Sequence, residues 1–209
     1  MFENKTVPQT SARPAPVQRR GIERVLAILE AADGLLREQG YEAATLKAIG
    51  ERTGIPLASI YHYFADRNQV DVELAHRHVR ELDARIAAAL ERRASQNLRQ
   101  AIDVIIDLLL AYYREFPSFI ELWYVGRTPA IAEVAQVFDD AQAERLWRYL
   151  IDRDFIDADT PRLALELAFE AGNRLFDVAF RRSPTGDQAT IAEARRLVAA
   201  YLETYAPKD

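Results

Sequence analysis

Histidine is the side chain best suited to acid–base or metal chemistry near neutral pH, and the 209-residue sequence holds three: His62, His76 and His78. His76 and His78 stand two residues apart, which on a helix puts them on different faces, so they form no helical metal pair. No cysteine is present to act as a thiolate nucleophile, to ligate a metal or to form a disulfide. Nucleophile-elbow, phosphate-loop and dinucleotide fingerprints are missing too. No catalytic residue, metal site, cofactor or enzymatic activity is therefore expected. The chemistry on offer is noncovalent: hydrogen bonding, charge pairing and apolar contact.

Residues 45–64, TLKAIGERTGIPLASIYHYF, concentrate that chemistry. Leu46 and Ile49 fall on one helical face, Gly50 is small where a second helix must cross closely, and Gly54 permits the positive φ of a tight turn. Ile55 and Ile60 anchor a second short helix that ends in aromatic residues. This is the pattern of a helix-turn-helix DNA reader. The competing interpretation is a pair of short helices in a helical ligand-binding or interaction protein without specific DNA recognition.

The flanks sharpen the choice. From Arg20 to Leu74 the chain carries an amphipathic first helix, a Gly-aromatic break at Gly40 and Tyr41, and a helix opening at Thr45. An Ile-small pair follows at Ile49 and Gly50, then Gly54-Ile55 and the run Ile60-Tyr61-x-Tyr63-Phe64 with Arg67 three residues on. This stretch resembles the DNA-binding domain of the TetR (tetracycline repressor) family of bacterial regulators. The resemblance implies an all-α fold of nine helices. Three form an N-terminal helix-turn-helix DNA-binding domain, and six form a C-terminal ligand-binding and dimerisation domain.

It also implies partners: double-stranded operator DNA, a second copy of the chain, and a small-molecule effector that releases the DNA. By position in the motif, Leu57, Ala58, Ser59 and His62 are implied to reach base edges, and Thr45, Lys47, Tyr61, Tyr63 and Arg67 to contact the phosphate backbone. Two residues depart from the usual pattern. Pro56 replaces a hydroxyl residue that would cap the recognition helix, and Ala58 replaces a common glycine.

Composition and charge fit this scheme. Hydrophobic residues make up 49% of the chain, enough for a sizeable core, and no apolar run approaches a membrane span. The N-terminus, MFENKTVPQTSARPAPVQRR, is polar with no signal peptide, so a cytoplasmic protein is expected. The net charge of -5 is unevenly distributed: residues 1–70 hold nine Lys/Arg against eight Asp/Glu, leaving eighteen against twenty-four in the rest. The acidity thus lies away from the DNA-reading part, where local basic charge is what counts.

Three segments follow: a disordered arm over residues 1–19 with Pro8, Pro14 and Pro16, a DNA-binding domain over 20–68, and the second domain over 69–209. The first helix is expected from about Ile22 to Gln39, with Ile22, Val25, Leu26, Leu29, Ala32 and Leu36 inward. Thr45 is the expected N-cap of the second helix, and a long fourth helix from Arg67 links the domains. Thr160 and Pro161 are expected to cap and open the eighth.

The second domain is rich in rings, which together suggest a cavity for a mostly apolar effector. Its expected contacts are Tyr113, Phe116, Trp123, Arg127, Trp147, Phe169, Asn173 and Phe176. Small residues on the eighth helix (Ala168, Gly172, Leu175, Ala179) and an apolar stripe on the ninth (Ile191, Ala194, Val198, Tyr201) suggest a four-helix dimer interface. The alternative is that both stripes pack inside one chain.

Overall fold

The computed structural model describes residues 16–92 and 95–207, with side chains from residue 19 onward; most of the expected N-terminal arm lies outside the described residues. Among the described residues there are nine α-helices and no strand. None of these helices is long and apolar enough to cross a membrane.

Helix α1 (Pro16–Gln39) starts six residues earlier than the apolar periodicity suggested. Proline suits a first helical position because its φ is preset and its missing N–H would lack an intrahelical partner anyway. The added turns carry an Arg19–Glu23 ion pair at 3.4 Å. Ile22 and Leu26, expected inside, are half-exposed, because α1 outruns the core it packs on; Ile28, Leu29, Ala32, Leu35 and Leu36 face that core. Gly40, at φ 79°, ends the helix.

Helix α2 (Leu46–Thr53) is capped by Thr45, whose hydroxyl accepts the Ala48 N–H at 3.1 Å. A Cβ at Gly50 would stand 3.0 Å from the Ile55 carbonyl oxygen, so the crossing with α3 (Leu57–Tyr63) requires a glycine-sized residue. Pro56 supplies no side-chain cap to α3; its carbonyl instead accepts from both Ser59 and Ile60 N–H. Helix α4 (Arg67–Glu91) begins at Asp66, whose carboxylate accepts the Gln69 N–H at 2.9 Å.

The remaining helices are α5 (Leu98–Glu115), α6 (Pro117–Ile120), α7 (Pro129–Ile151), α8 (Arg162–Arg182) and α9 (Gln188–Glu203). Helix α6 runs directly into a π-helical turn, Glu121–Val125. The expected cap at Thr160 is not used. Its carbonyl accepts the Trp147 indole N–H at 2.8 Å, its hydroxyl is buried without a partner among the described residues, and α8 starts two residues later at Arg162.

Two hydrophobic cores result. One joins α1–α3 to Val70 and Leu74 of α4, and the other gathers α5–α9 around Leu82, Ile86 and Leu90 of the same helix. Helix α4 is thus built into both.

Candidate nucleic-acid interface, interdomain joint and effector cavity

Helix α3 is held from behind by Ile60 and Phe64, both buried, which turns the rest of its surface outward. Leu57 is 39% and Tyr61 52% exposed, although their apolar area would ordinarily favour burial. Ala58 and His62 are also exposed and Ser59 is half-buried, so the implied base-reading residues form one open face. Thr45 and Lys47 are exposed beside it; among the described residues Lys47 pairs only with Glu51, a 3.8 Å surface contact. Such a pair is weak enough to yield to a phosphate. Tyr63 is half-buried and packs on the N-terminal core.

Arg67 requires a correction. Its Nε donates to Asp71 Oδ1 at 2.7 Å, its Nη1 donates to the Tyr41 carbonyl at 3.2 Å, and its guanidinium lies 4.4 Å from the Tyr41 ring centre. Asp71 is completely buried, and a buried carboxylate requires a paired cation. Arg67 is therefore committed to the interior, and its implied phosphate contact is withdrawn. Burial pushes the Asp71 carboxyl up against the opposing pull of Arg67, and burial together with Asp71 pushes the Tyr41 hydroxyl up to about 12.

Tyr41 also leads to the joint between the domains, which the sequence reading did not identify. Its backbone N–H donates to Glu121 Oε2 at 2.9 Å and its hydroxyl to Asp71 Oδ2 at 3.0 Å. Its ring occupies the space a side chain at Gly126 would need. Between Glu121 and Gly126, Leu122 inserts into the N-terminal core while its neighbour Trp123 belongs to the C-terminal one. A wide π turn is a common device at functional positions in helices. The available sequence signal was the Gly40-Tyr41 break together with a glycine at 126.

A second joint is polar. Ser118 Oγ donates to Asp33 Oδ1 at 2.5 Å, His78 Nε2 lies 3.4 Å from the same oxygen, and His78 Nδ1 is 2.9 Å from the Tyr112 hydroxyl. The set contains serine, histidine and aspartate, but the serine is bonded to the carboxylate and no base faces it. It links α1, α4, α5 and α6. Burial opposes the Asp33 charge, yet the nearby His78 and the Ser118 hydrogen bond win and hold its carboxyl below the usual range.

In the C-terminal domain an apolar cavity of about 50 Å³ lies between α5, α8 and α9, with Leu146 from α7. Phe169, Asn173 and Phe176 line it, together with aliphatic residues such as Ile102, Ile105 and Val198. The other expected contacts are elsewhere. Tyr113 packs against Phe176 and Phe180, Trp123 against Phe119 and Phe138, and Phe116 against His78 and Tyr112. Trp147 is tied to Thr160, and Arg127 is an exposed loop residue. Most of these rings pack on other rings, so aliphatic residues make up most of the cavity wall, with Phe169 and Phe176 among them. A separate groove of about 500 Å³ runs between α4 and α7 past Val72, Val79 and Val137.

Asn173 Nδ2 donates to Asp139 Oδ2 at 2.8 Å. Burial, reinforced by Glu170 and Asp140, pushes the Asp139 carboxyl up to about 7 against the opposing effects of Asn173 and Arg127. Tyr113 and Tyr124 meet edge to face, 6.3 Å between ring centres, and burial pushes both hydroxyls up. Asp177 pairs with Arg174 and Arg181.

The expected dimer stripe is also corrected. Ala168, Ala179, Ile191, Ala194 and Val198 are buried within a single chain, where α8 packs on α9; Leu175 and Tyr201 pack on the same core, and Gly172 faces Val198. The small side chains serve the close approach of the two helices to each other. The outward apolar residues are Leu163, Leu167 and Leu197, at 56%, 49% and 47% exposure.

The chain matches a family model described as Tetracyclin repressor-like, C-terminal domain, over residues 97–202, and one described as Bacterial regulatory proteins, tetR family, over residues 28–71. A TetR-family transcriptional regulator from Streptomyces coelicolor is similar in structure, with a TM-score of 0.66 and 30% identity, covering 87% of this chain and 99% of that one. The HTH-type transcriptional activator FasR of Mycolicibacterium smegmatis is 28% identical over 68% of this chain and 67% of its own length. The HTH-type transcriptional repressor AcnR of Corynebacterium diphtheriae is 29% identical over 58% and 62%, respectively.

Proposed function

The chain belongs to the TetR family and is a DNA-binding transcriptional regulator; we propose that it is a homodimeric repressor whose operator is released by a small molecule held between α5, α8 and α9. Residues 20–68 are the recognition unit and residues 69–209 the sensing and pairing unit. Leu57, Ala58, Ser59 and His62 face the major groove, with Thr45, Lys47 and Tyr61 on flanking phosphates and Tyr63 supporting the helix from its half-buried position. Dimerisation uses Leu163, Leu167 and Leu197. No enzymatic step and no cofactor belong to this function.

The observation that carries the proposal is the shared construction of the two cores. Helix α4 and Leu122 each reach into the N-terminal core from elements anchored in the C-terminal one. Occupancy of the cavity that shifts α5 or the π turn therefore changes the spacing of two recognition helices in a dimer. Major-groove spacing is fixed by the DNA, so a change of spacing weakens both half-sites together. A differential affinity of about 2.7 kcal/mol shifts the equilibrium roughly 100-fold. Among relatives, one is named an activator and one a repressor; repression is the direct consequence of a regulator that occupies DNA until a ligand removes it.

Fluorescence anisotropy on a selected palindrome provides the test. Ser59→Ala and His62→Ala should alter sequence preference, and Lys47→Ala should weaken all sequences alike and lower the salt slope by about one unit. Unaltered preference and salt slope in all three folded variants would favour the helical binding protein without DNA recognition. A reporter assay in cells lacking the regulator then separates repression from activation.

A further inference from the structure

The polar joint between the two units accommodates one proton more or fewer. His78 is 5% exposed and Tyr112 is fully buried, and the Tyr112 hydroxyl has two acceptors on the same residue: His78 Nδ1 at 2.9 Å and the His78 carbonyl at 3.2 Å. A hydroxyl carries one hydrogen and rotates to suit its neighbours. With a neutral imidazole it donates to Nδ1, which leaves the ring hydrogen on Nε2. With an imidazolium, Nδ1–H donates to the Tyr112 oxygen and the hydroxyl turns to the carbonyl. Both protonation states are satisfied on this side of the ring without movement of a heavy atom.

The other side favours the cation. Nε2 is buried, makes no hydrogen bond among the described residues and lies 3.4 Å from Asp33 Oδ1, long for a hydrogen bond but within ion-pair range. A neutral N–H gains little there, whereas an imidazolium pairs with a carboxylate that Ser118 already orients. The Phe116 and Phe119 rings, centred 5.6 and 5.1 Å away, attract the same cation.

Burial works against the charge. The ionisable groups around the ring are Glu30, Asp33 and Arg37 from α1, Arg77, Glu81 and Arg85 from α4, and Tyr112 and Glu115 from α5, so carboxylates outnumber guanidiniums. Helix α6 adds no ionisable side chain, Glu121 of the π turn is bonded to Tyr41, and α7 packs on the opposite face of α4, past Val72 and Val79. A cavity of about 110 Å³ lined by Glu30, Asp33, Arg77, His78, Glu81 and Phe116 gives protons a way in.

We propose that His78 is a proton-operated latch between the recognition and sensing units. As pH falls through the range in which histidine ordinarily titrates, the imidazolium pairs with Asp33 and ties α1 to α4, α5 and α6. As pH rises the proton leaves, the pair is lost and the recognition unit tilts more freely, so the latch's contribution to stability is present at low pH and lost at high pH. It needs neither the effector cavity nor the reading residues of α3.

Histidine-selective nitrogen-15 spectra at about pH 8 and about pH 5.5, assigned with His62→Gln and His76→Gln, test the switch directly. His78 should pass from the neutral form with hydrogen on Nε2 to the doubly protonated form. One form throughout, or a neutral form with hydrogen on Nδ1, overturns the latch. Urea unfolding of the wild type, His78→Gln, Asp33→Asn and the double variant supplies the energetics, and groups common to all four proteins, Asp139 included, cancel in the cycle. The His78–Asp33 coupling should be at least about tenfold in the unfolding equilibrium at the lower pH and about threefold or less at the higher, the gap between a charged and a neutral pair. Equal coupling at both pH values marks a structural contact and overturns the latch; the spectra decide where a variant folds poorly. On a selected palindrome, the ratio of wild-type to His78→Gln operator affinity should change at least about fivefold between the same pH values. A constant ratio confines the proton to the joint and overturns its control of the recognition unit.

Discussion

Gly126 lies directly against the ring of Tyr41, so closely that no other residue type fits at 126 unless the ring moves. The contact brings the turn after α1 against the loop before α7, and the Tyr41–Glu121 and Tyr41–Asp71 hydrogen bonds fix the ring's approach. Gly126→Ala should therefore cost about 1–3 kcal/mol, the usual price of overpacking. It should also reduce the factor by which an effector changes operator affinity. Urea unfolding and anisotropy with and without ligand measure the two effects; wild-type stability together with wild-type coupling would remove Tyr41 and Gly126 from the signal route.

Arg67 and Lys47 should separate cleanly. Arg67→Ala strands the buried Asp71 carboxylate and is expected to cost about 3–5 kcal/mol. In whatever protein remains folded, the salt slope of DNA binding should be unchanged. Lys47→Ala is expected to stay within about 0.5 kcal/mol of wild-type stability while lowering that slope. Denaturant midpoints paired with salt titrations give both numbers, and a salt slope that falls in Arg67→Ala would restore its phosphate contact.

Leu167→Glu places a charge on the outward apolar face of α8 and should yield a folded monomer with weakened operator binding. Gly172→Ala should leave the dimer intact, because a Cβ there makes ordinary contact with Val198 Cγ2 at 3.7 Å. It should also gain up to about 1 kcal/mol from helix propensity. Analytical ultracentrifugation distinguishes the outcomes: a dimer in Leu167→Glu alongside a monomer in Gly172→Ala would return the interface to the small-residue stripe.

Asp139 should leave a signature in the pH dependence of stability. Its carboxyl titrates near 4 in the unfolded chain and about 7 in the folded one. Between those values the folded state holds a proton the unfolded state has released, so this group's contribution makes stability fall as pH rises and level off above 7. The groups facing it are Asn173 and Glu170 from α8, Asp140 from α7 and Arg127 from the loop. Asp139→Asn lacks this term, and its stability relative to wild type should rise across the window by on the order of 2–4 kcal/mol, less wherever water reaches the carboxyl. Unfolding at pH 5 and pH 8 checks it; a constant difference between the two proteins would show that Asp139 is ordinarily acidic.

Helices and their ends were legible in the sequence where local chemistry sets them: Thr45 as a cap, Gly40 and Gly54 as left-handed stops, and Arg67 as the start of α4. The open face of α3 was legible as well, since Ile60 and Phe64 dictate what must point outward. Periodicity could not say which partner an apolar face meets. Ala168 and Ala194 show the same stripe whether they bury against their own chain or a second one, and only the α8–α9 packing decides. Arg67 was misread because a motif position specifies proximity to DNA but not the buried Asp71 that captures the side chain. Ring content located the cavity only in part: Phe169 and Phe176 line it, while Tyr113, Phe116 and Trp123 are taken up by packing against other rings.

Leu122 has one more implication, for exchange of parts between regulators. The recognition unit is completed by a side chain from beyond α5, more than fifty residues after the unit's nominal end, so residues 20–68 are not a portable module. A chimaera that grafts them onto another sensing domain inherits an unfilled hole in the N-terminal core, where the π turn meets α1 and α4, unless the recipient presents a matching leucine from its own turn. Swaps that carry residues 117–126 along with the recognition helices should fold where the bare graft does not.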